Sequence, residues 1–284
     1  MKKRIILSLG LIGFILTQLG AQCISGDCQN GIGTFKYVNS LYEGSWKNGQ
    51  WEGQGKYTLD DQYVYTGTFK DGLVTGEGIM LYSDQIEYHG SVMMGKAHGK
   101  GVVKYPDGRQ FEGVFNEGIP REGKGLLFIG KDYYDGEFKD GQFNGQGLYS
   151  YDKGGRVEGE FRNGSLWKGK GVMYDSMGKY DGLIDNGNFH GDGILTYTNG
   201  NVLSGTFNNG QINYGTFSYP NGSYTGKFEN GQFHGYGVAY YSGDKTTYKG
   251  NWKNGKRSGY GTLYDNNNKV LFEGYWTNDN PQQL

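Results

Sequence analysis

Apolar and polar residues alternate along most of the chain, and the alternation is interrupted at regular intervals by two-residue turns. In Tyr134–Gly147, Tyr134, Gly136 and Phe138 stand at alternate positions, followed by Asp140-Gly141 and then by Phe143, Gly145 and Gly147. A period-two pattern on both sides of Asp-Gly or Asn-Gly predicts a β-hairpin. The same unit recurs with Tyr42, Tyr65, Tyr88, Phe111, Tyr134, Val157, Tyr180, Leu203, Tyr224, Tyr248 and Phe272 as leading residues. The first seven steps are 23 residues each, and the last three are 21, 24 and 24. A fixed period of that size means a repeat array.

The expected fold is therefore all-β: an elongated, single-layered antiparallel sheet of about ten consecutive 23-residue hairpin repeats, some 21 strands in all. The segments expected are a signal peptide over 1–21, an N-terminal cap over 22–41, the array over 42–278 and a tail over 279–284.

A two-residue turn at Asn48-Gly49 sets an expected register. Trp46 should face Trp51, Gly44 should face Gly53, and Tyr42 should face Gly55, all on one side of the sheet. That side also receives Val74, Ala97, Phe143, Leu166, Phe189, Ile212 and Phe233, two places beyond each turn glycine. The opposite side, with Glu43, Ser45, Gln54 and Lys56, should be solvated. Rings facing glycine can lie over bare backbone, so one sheet can cover its own face. In the copies led by Phe111 and Val157, one extra residue precedes Gly-x-Gly and reads as a bulge, whereas the Leu203 copy is one residue short.

Composition supports this. Of 284 residues, 54 are glycine, 25 tyrosine and 15 phenylalanine, yet only 35% are hydrophobic, too few aliphatics for a thick two-layer core. Recurring aromatics argue against disorder, and the glycine spacing with 4 prolines excludes collagen. A net charge of −1 argues against a general nucleic-acid binder, which needs a basic face, and leaves room for a local basic patch.

Lys2, Lys3 and Arg4 followed by the apolar run Ile5–Leu16 read as an export signal, the run being too short to span a bilayer comfortably. The chain is expected to be exported, as a periplasmic, outer-surface or secreted protein, the alternative being an uncleaved N-terminal membrane anchor. Cys23 and Cys28, with four residues between them, are then expected to form a disulfide at the first hairpin edge.

The unit resembles the MORN repeat (membrane occupation and recognition nexus), a Tyr-x-Gly-x-Trp/Phe stretch closed by His-Gly-x-Gly. It is nearly complete in Tyr180, Gly182, Ile184, Gly187, His190, Gly191 and Gly193, and equally clear in Tyr224, Gly226, Phe228, Gly231, His234, Gly235 and Gly237. The resemblance covers roughly residues 28–278. It implies scaffolding, protein interaction, dimerisation and, in some members, lipid association. Some members carry a lipid kinase or methyltransferase domain; none is expected here, since the repeats run almost to Leu284.

No catalytic, cofactor or metal site is expected. His98, His190 and His234 belong to separate copies and His89 is off their position, so they read as structural. Runs such as Gly53-Gln54-Gly55 lack the Gly-Lys-Ser/Thr that closes a phosphate loop. The expected binding surface is the aromatic side, with Trp46, Trp51, Phe143, Trp167, Phe189, Phe233 and Trp252. The expected occupant is an unidentified protein partner; the alternative is an envelope lipid or glycan held in an aromatic groove. Open strand edges at the sheet ends invite a homodimer.

Overall fold

A computed structural model describes residues 21–282. The segment 1–21, expected to be a signal peptide, lies outside the described residues, apart from Ala21. Among the described residues there are twenty-four β-strands, from Gln22–Gly26 to Asn280–Pro281, and no helix. The count exceeds the expected 21 because Gln22–Gly26 and Ile32–Lys36 already pair as a hairpin, and the short Asn280–Pro281 closes the far end. The strands divide into two compact units, one up to Tyr149 and one from Ser150. Within each unit the pairings are antiparallel, between strands consecutive in the chain.

Each hairpin tip takes the two-residue turn that the sequence predicts. Asn48 and Gly49 have φ of 49° and 73°, Asp71 and Gly72 50° and 76°, and Asn254 and Gly255 51° and 78°. Two consecutive positive φ values give the turn whose twist matches the strands. The tip glycine also ties neighbouring copies together: Gly72 N–H donates to Trp51 O at 3.0 Å and Gly187 N–H to Trp167 O at 2.8 Å.

The register inside a hairpin differs from the simple expectation. Trp46 pairs with Trp51, but Gly44 pairs with Gly55, not Gly53, and Tyr42 pairs with Tyr57. Ser45 alone therefore opposes Glu52, Gly53 and Gln54, a bulge of two extra residues. Gly53 makes it with φ of +74°, and Gly76, Gly99, Gly145, Gly191, Gly235 and Gly259 take the same left-handed conformation, with φ between +60° and +84°.

Every copy with this bulge is led by tyrosine, and the tyrosine hydroxyl supplies what the bulge removes. Tyr42 Oη donates to Ser45 O at 2.9 Å, Tyr88 Oη to Ser91 O at 2.7 Å and Tyr180 Oη to Leu183 O at 3.0 Å, each the residue opposite the bulge. Tyr65, Tyr134 and Tyr224 also reach the bulge carbonyls of Thr75, Asn144 and His234, each at 3.3 Å. The copies led by Phe111, Val157 and Leu203 lack the hydroxyl and have a smaller bulge. There Gly113 pairs with Gly123, Gly159 with Gly169 and Gly205 with Gly215, leaving one extra residue. The bulges expected at Phe111 and Val157 are real, but they are the small ones; the ordinary copies carry the larger distortion.

The rings cover glycine as expected, reaching it diagonally across the bulge. A Cβ on Gly44 or Gly55 would sit 2.6 Å from Tyr42 Oη. Tyr42 also stacks on Trp51 at 4.7 Å and meets Trp46 and Phe69 edge-on at 5.2 and 5.0 Å. In the second unit Tyr180 stacks on Phe189 and Tyr224 on Phe233, both at 3.8 Å. The leading tyrosines are enclosed and form the core of a single layer.

The chain ends are closed by other chemistry. Cys23 and Cys28 are disulfide-bonded, Cys28 is buried, and the Asp27 carboxylate accepts from the N–H groups of Gln29 and Asn30 at 2.8 and 3.1 Å. Those two bonds hold the Asp27 carboxyl below its ordinary pKa. In the Tyr248 copy Arg257 replaces the stacking ring. Its guanidinium lies 4.2 Å from the Trp276 ring centre and its Nη2 donates to Asp279 O at 3.1 Å. Asp279, placed in a tail by the sequence reading, thus closes the final hairpin.

Two outcomes follow. Tyr180→Phe removes a buried donor and should cost ~1–2 kcal/mol, read as a lower unfolding midpoint; an unchanged midpoint would refute the bulge-capping role. Met94 holds φ of 50° at a tip, where every other copy but the one with Glu117 places Asn or Asp. Met94→Asn should therefore stabilise by about 0.5–1 kcal/mol, and a fall in the midpoint would contradict it.

Candidate functional site

The aromatic side is mostly filled by its own rings. Trp46, Trp51 and Trp252 are buried in it. Phe143, Phe189 and Phe233 are half-buried, each with one ring face stacked on the leading tyrosine of its copy. Trp167 is half-buried under the Arg162 guanidinium, which lies 4.7 Å from the ring centre. The seven residues expected to make one surface are spread over six copies, and Phe233 lines a groove.

That groove, of about 470 Å³, lies in the second unit. Its cause is legible in the residues. Where neighbouring copies put Tyr180 over Phe189 and Tyr224 over Phe233, this copy has Leu203 and Ile212. The smaller pair leaves room between Tyr197, Phe217 and Phe233. The link between tips lapses at the same place. Gly210 N–H donates to Phe189 O and Gly255 N–H to Phe233 O, but among the described residues no such backbone bond ties Gly231 to the Leu203 copy. The groove mouth carries Asn199, Asn201, Gln232 and Asn254.

The opposite side is not uniformly solvated polar surface, as expected, and here the reading is corrected. Between the two glycines of Gly-x-Gly, the outward residue is Gln54, Glu77, Lys100, Gln146 or Asp192 in earlier copies, but Tyr236 and Tyr260 in later ones. With Tyr214 and Tyr275 they form a line across the sheet, interrupted by Lys227 and Asn251 on the strands between, and are exposed by 56% (Tyr214), 62% (Tyr236), 49% (Tyr260) and 64% (Tyr275). Tyr214 pairs with Lys227, Tyr236 with Asn251 and Tyr260 with Tyr275, the last two rings meeting edge-on at 5.6 Å. Tyr260 Oη also donates to Glu273 Oε1 at 3.1 Å, which raises the Tyr260 pKa. The residue switch inside Gly-x-Gly was the available sequence signal for this line.

No group of three or more His, Cys, Asp or Glu residues gathers among the described residues in a way that could hold a metal ion. His98, His190 and His234 each stand at the bulge of a different copy, where the His234 carbonyl accepts from Tyr224.

Comparison with known families gives one match, the MORN repeat, over residues 42–62, 65–86, 88–108, 134–156, 180–202, 204–223, 224–245 and 248–270. These eight segments make up more than half of the chain. The chain belongs to the MORN repeat family. The two gaps in the match fall on the Phe111 and Val157 copies, two of the three with the small bulge and no leading tyrosine. MORN repeats are generally non-catalytic. A comparison with curated proteins finds no match. Among solved structures, a mutant TCP10 domain of Danio rerio CPAP is 13% identical, with a TM-score of 0.24, covering 78% of this chain and 95% of that one. The wild-type TCP10 domain of Danio rerio CPAP in complex with a peptide of Danio rerio STIL is also 13% identical, with a TM-score of 0.22, covering 90% and 98%. Similarity this low places neither fold nor function.

The buried tyrosines give a pH prediction. Burial raises Tyr65, Tyr224 and Tyr248 from 10 to about 12 in the folded protein. Their contribution to stability is therefore complete below pH ~10 and is lost as pH rises from ~10 towards 12. Tyrosinate absorbance and circular dichroism should show these rings ionising in the same step that unfolds the sheet. Ionisation of the whole tyrosine complement with the sheet intact would contradict it.

Proposed function

We propose that this MORN-repeat protein is an exported, non-enzymatic scaffold that docks a protein partner on the tyrosine line of its second unit. The observation that carries the reading is the exposure of Tyr214, Tyr236, Tyr260 and Tyr275 on one side of the sheet. Tyrosine is enriched at the centre of protein interfaces because it offers a large rigid surface and a hydroxyl at little entropic cost. The neighbouring outward residues include Thr216, Thr225, Asn251, Lys227, Lys249 and Glu273, so the surface is polar and nearly balanced in charge. It suits the uncharged, hydrogen-bonding surface of a folded protein.

Export is supported by the Cys23–Cys28 disulfide, a bond that persists in oxidising compartments. The periplasm, the outer surface and the medium all satisfy that condition. Among the described residues no helix is long and apolar enough to cross a membrane. Lipid head groups are the weaker occupant of the aromatic side, since no Lys or Arg lines its groove.

Proximity labelling in the producing cell should identify the partner, and binding should then be measured with both proteins purified. Tyr236→Ser with Tyr260→Ser should weaken binding at least tenfold, about 1.4 kcal/mol, with the fold intact by circular dichroism. Unchanged affinity in that variant, or self-association as the sole binding event, would reject the reading.

A further inference from the structure

The groove at Leu203 has a lining of its own kind, and the tyrosine line plays no part in it. Its floor is aliphatic, Leu203 and Ile212, both buried. Its walls are the rings of Tyr197, Phe217 and Phe233; Tyr197 and Phe217 meet edge-on at 6.3 Å, and Phe233 has one face against Tyr224. Among the lining residues none is charged. Within the described structure the side-chain amides of Asn201, Gln232 and Asn254 bond no protein atom. Three donor–acceptor groups thus stand free around an aromatic slot.

This chemistry separates the ligand classes. Phosphate or carboxylate ligands would need a cation, which the lining lacks. A peptide that binds by adding a strand needs a free sheet edge. The strands around the groove, Val202–Asn208, Gln211–Tyr219, Gly222–Glu229 and Gln232–Tyr241, are paired on both sides, so no edge is offered. A pyranose ring fits what remains. Its C–H faces pack on aromatic rings, and its adjacent hydroxyls both donate to and accept from a carboxamide. A groove of about 470 Å³ falls in the size range of small-ligand sites.

We infer that the groove bordered by Leu203, Phe217 and Phe233 binds a short, uncharged oligosaccharide. The Leu203 copy is then a functional interruption of the array. By giving up the leading tyrosine, the larger bulge and the stacked partner, it opens a stretch of seam where a ligand can replace the missing rings.

The full-length mature protein should be titrated with cello-, chito- and malto-oligosaccharides by calorimetry, and by tryptophan fluorescence, since Trp252 meets Phe233 edge-on at 5.5 Å. At least one series should bind saturably below millimolar concentration. Gln232→Ala with Asn201→Ala, neither at a positive-φ turn position, should weaken it at least tenfold with the fold retained. Leu203→Tyr, which refills the seam, should abolish it. Tyr236→Ser with Tyr260→Ser should leave it unchanged, so this site and the protein-docking line fail separately. Absence of binding by all three series, affinity unaltered in the amide variant, or tighter binding of an uncharged peptide in the same groove would overturn the inference.

Discussion

The structure depends on a phenol ring laid over two glycines, with its hydroxyl bonded into a widened bulge. Each part requires the others. The glycine pair lets the ring lie flat, because a Cβ on either residue would occupy the space the ring fills. The flat ring places its oxygen at the carbonyls that a two-residue bulge leaves without ladder partners. An unpaired buried carbonyl costs ~1–3 kcal/mol, so the hydroxyl keeps a distorted ladder tolerable. A second ring then stacks on the first and a third closes its edge, as Phe233 and Trp252 do for Tyr224. In this way a single layer of strands has a core without a second layer.

The same constraint gives meaning to the exceptions. When the leading residue is Phe111, Val157 or Leu203, the hydroxyl is gone and the bulge shrinks by one residue. Phe111 keeps an aromatic seam, with Phe115 and Phe138 at 5.7 and 5.5 Å. Leu203 does not keep one, because Ile212 stands where a ring would stack, and a groove opens there. Both proposed sites lie at departures from the repeat. Here there are two, on opposite sides of one unit: a gap among the inward rings and a line of outward tyrosines. In the first and last described hairpins a disulfide and the Arg257–Asp279 pair stand where other copies have rings.

The period, the turns and the identity of the inward side were legible because each depends on local chemistry. Asn48-Gly49 and its counterparts require positive φ, and the ring and glycine positions alternate by two. The pairing register was not legible, for a definite reason. The bulge in the Tyr42 copy adds two residues, an even number, so Gly55 and Tyr57 stay on the expected side although their partners shift, while Trp51 keeps Trp46. Alternation cannot detect an even insertion. The one-residue bulge at Val157 does disturb the spacing, which is why it stood out and was read as the exception. The groove was hidden for another reason: it is a volume deficit between copies, visible once Leu203 and Ile212 are set beside Tyr224 and Phe233. The aromatic residues proposed as a surface were legible as aromatic, but their number alone does not distinguish Trp51, enclosed by Tyr42 and Phe69, from a half-exposed Phe233.

The most direct test is a pair of glycine substitutions compared by thermal unfolding. Gly193 lies under the Tyr180 ring, where a Cβ would clash with it, whereas Gly243 has nothing within 4 Å. Gly193→Ala should destabilise by at least ~1–3 kcal/mol through overpacking, with Gly243→Ala near wild type. Equal midpoints for the two variants would contradict the claim that rings seated on bare glycine hold this protein together.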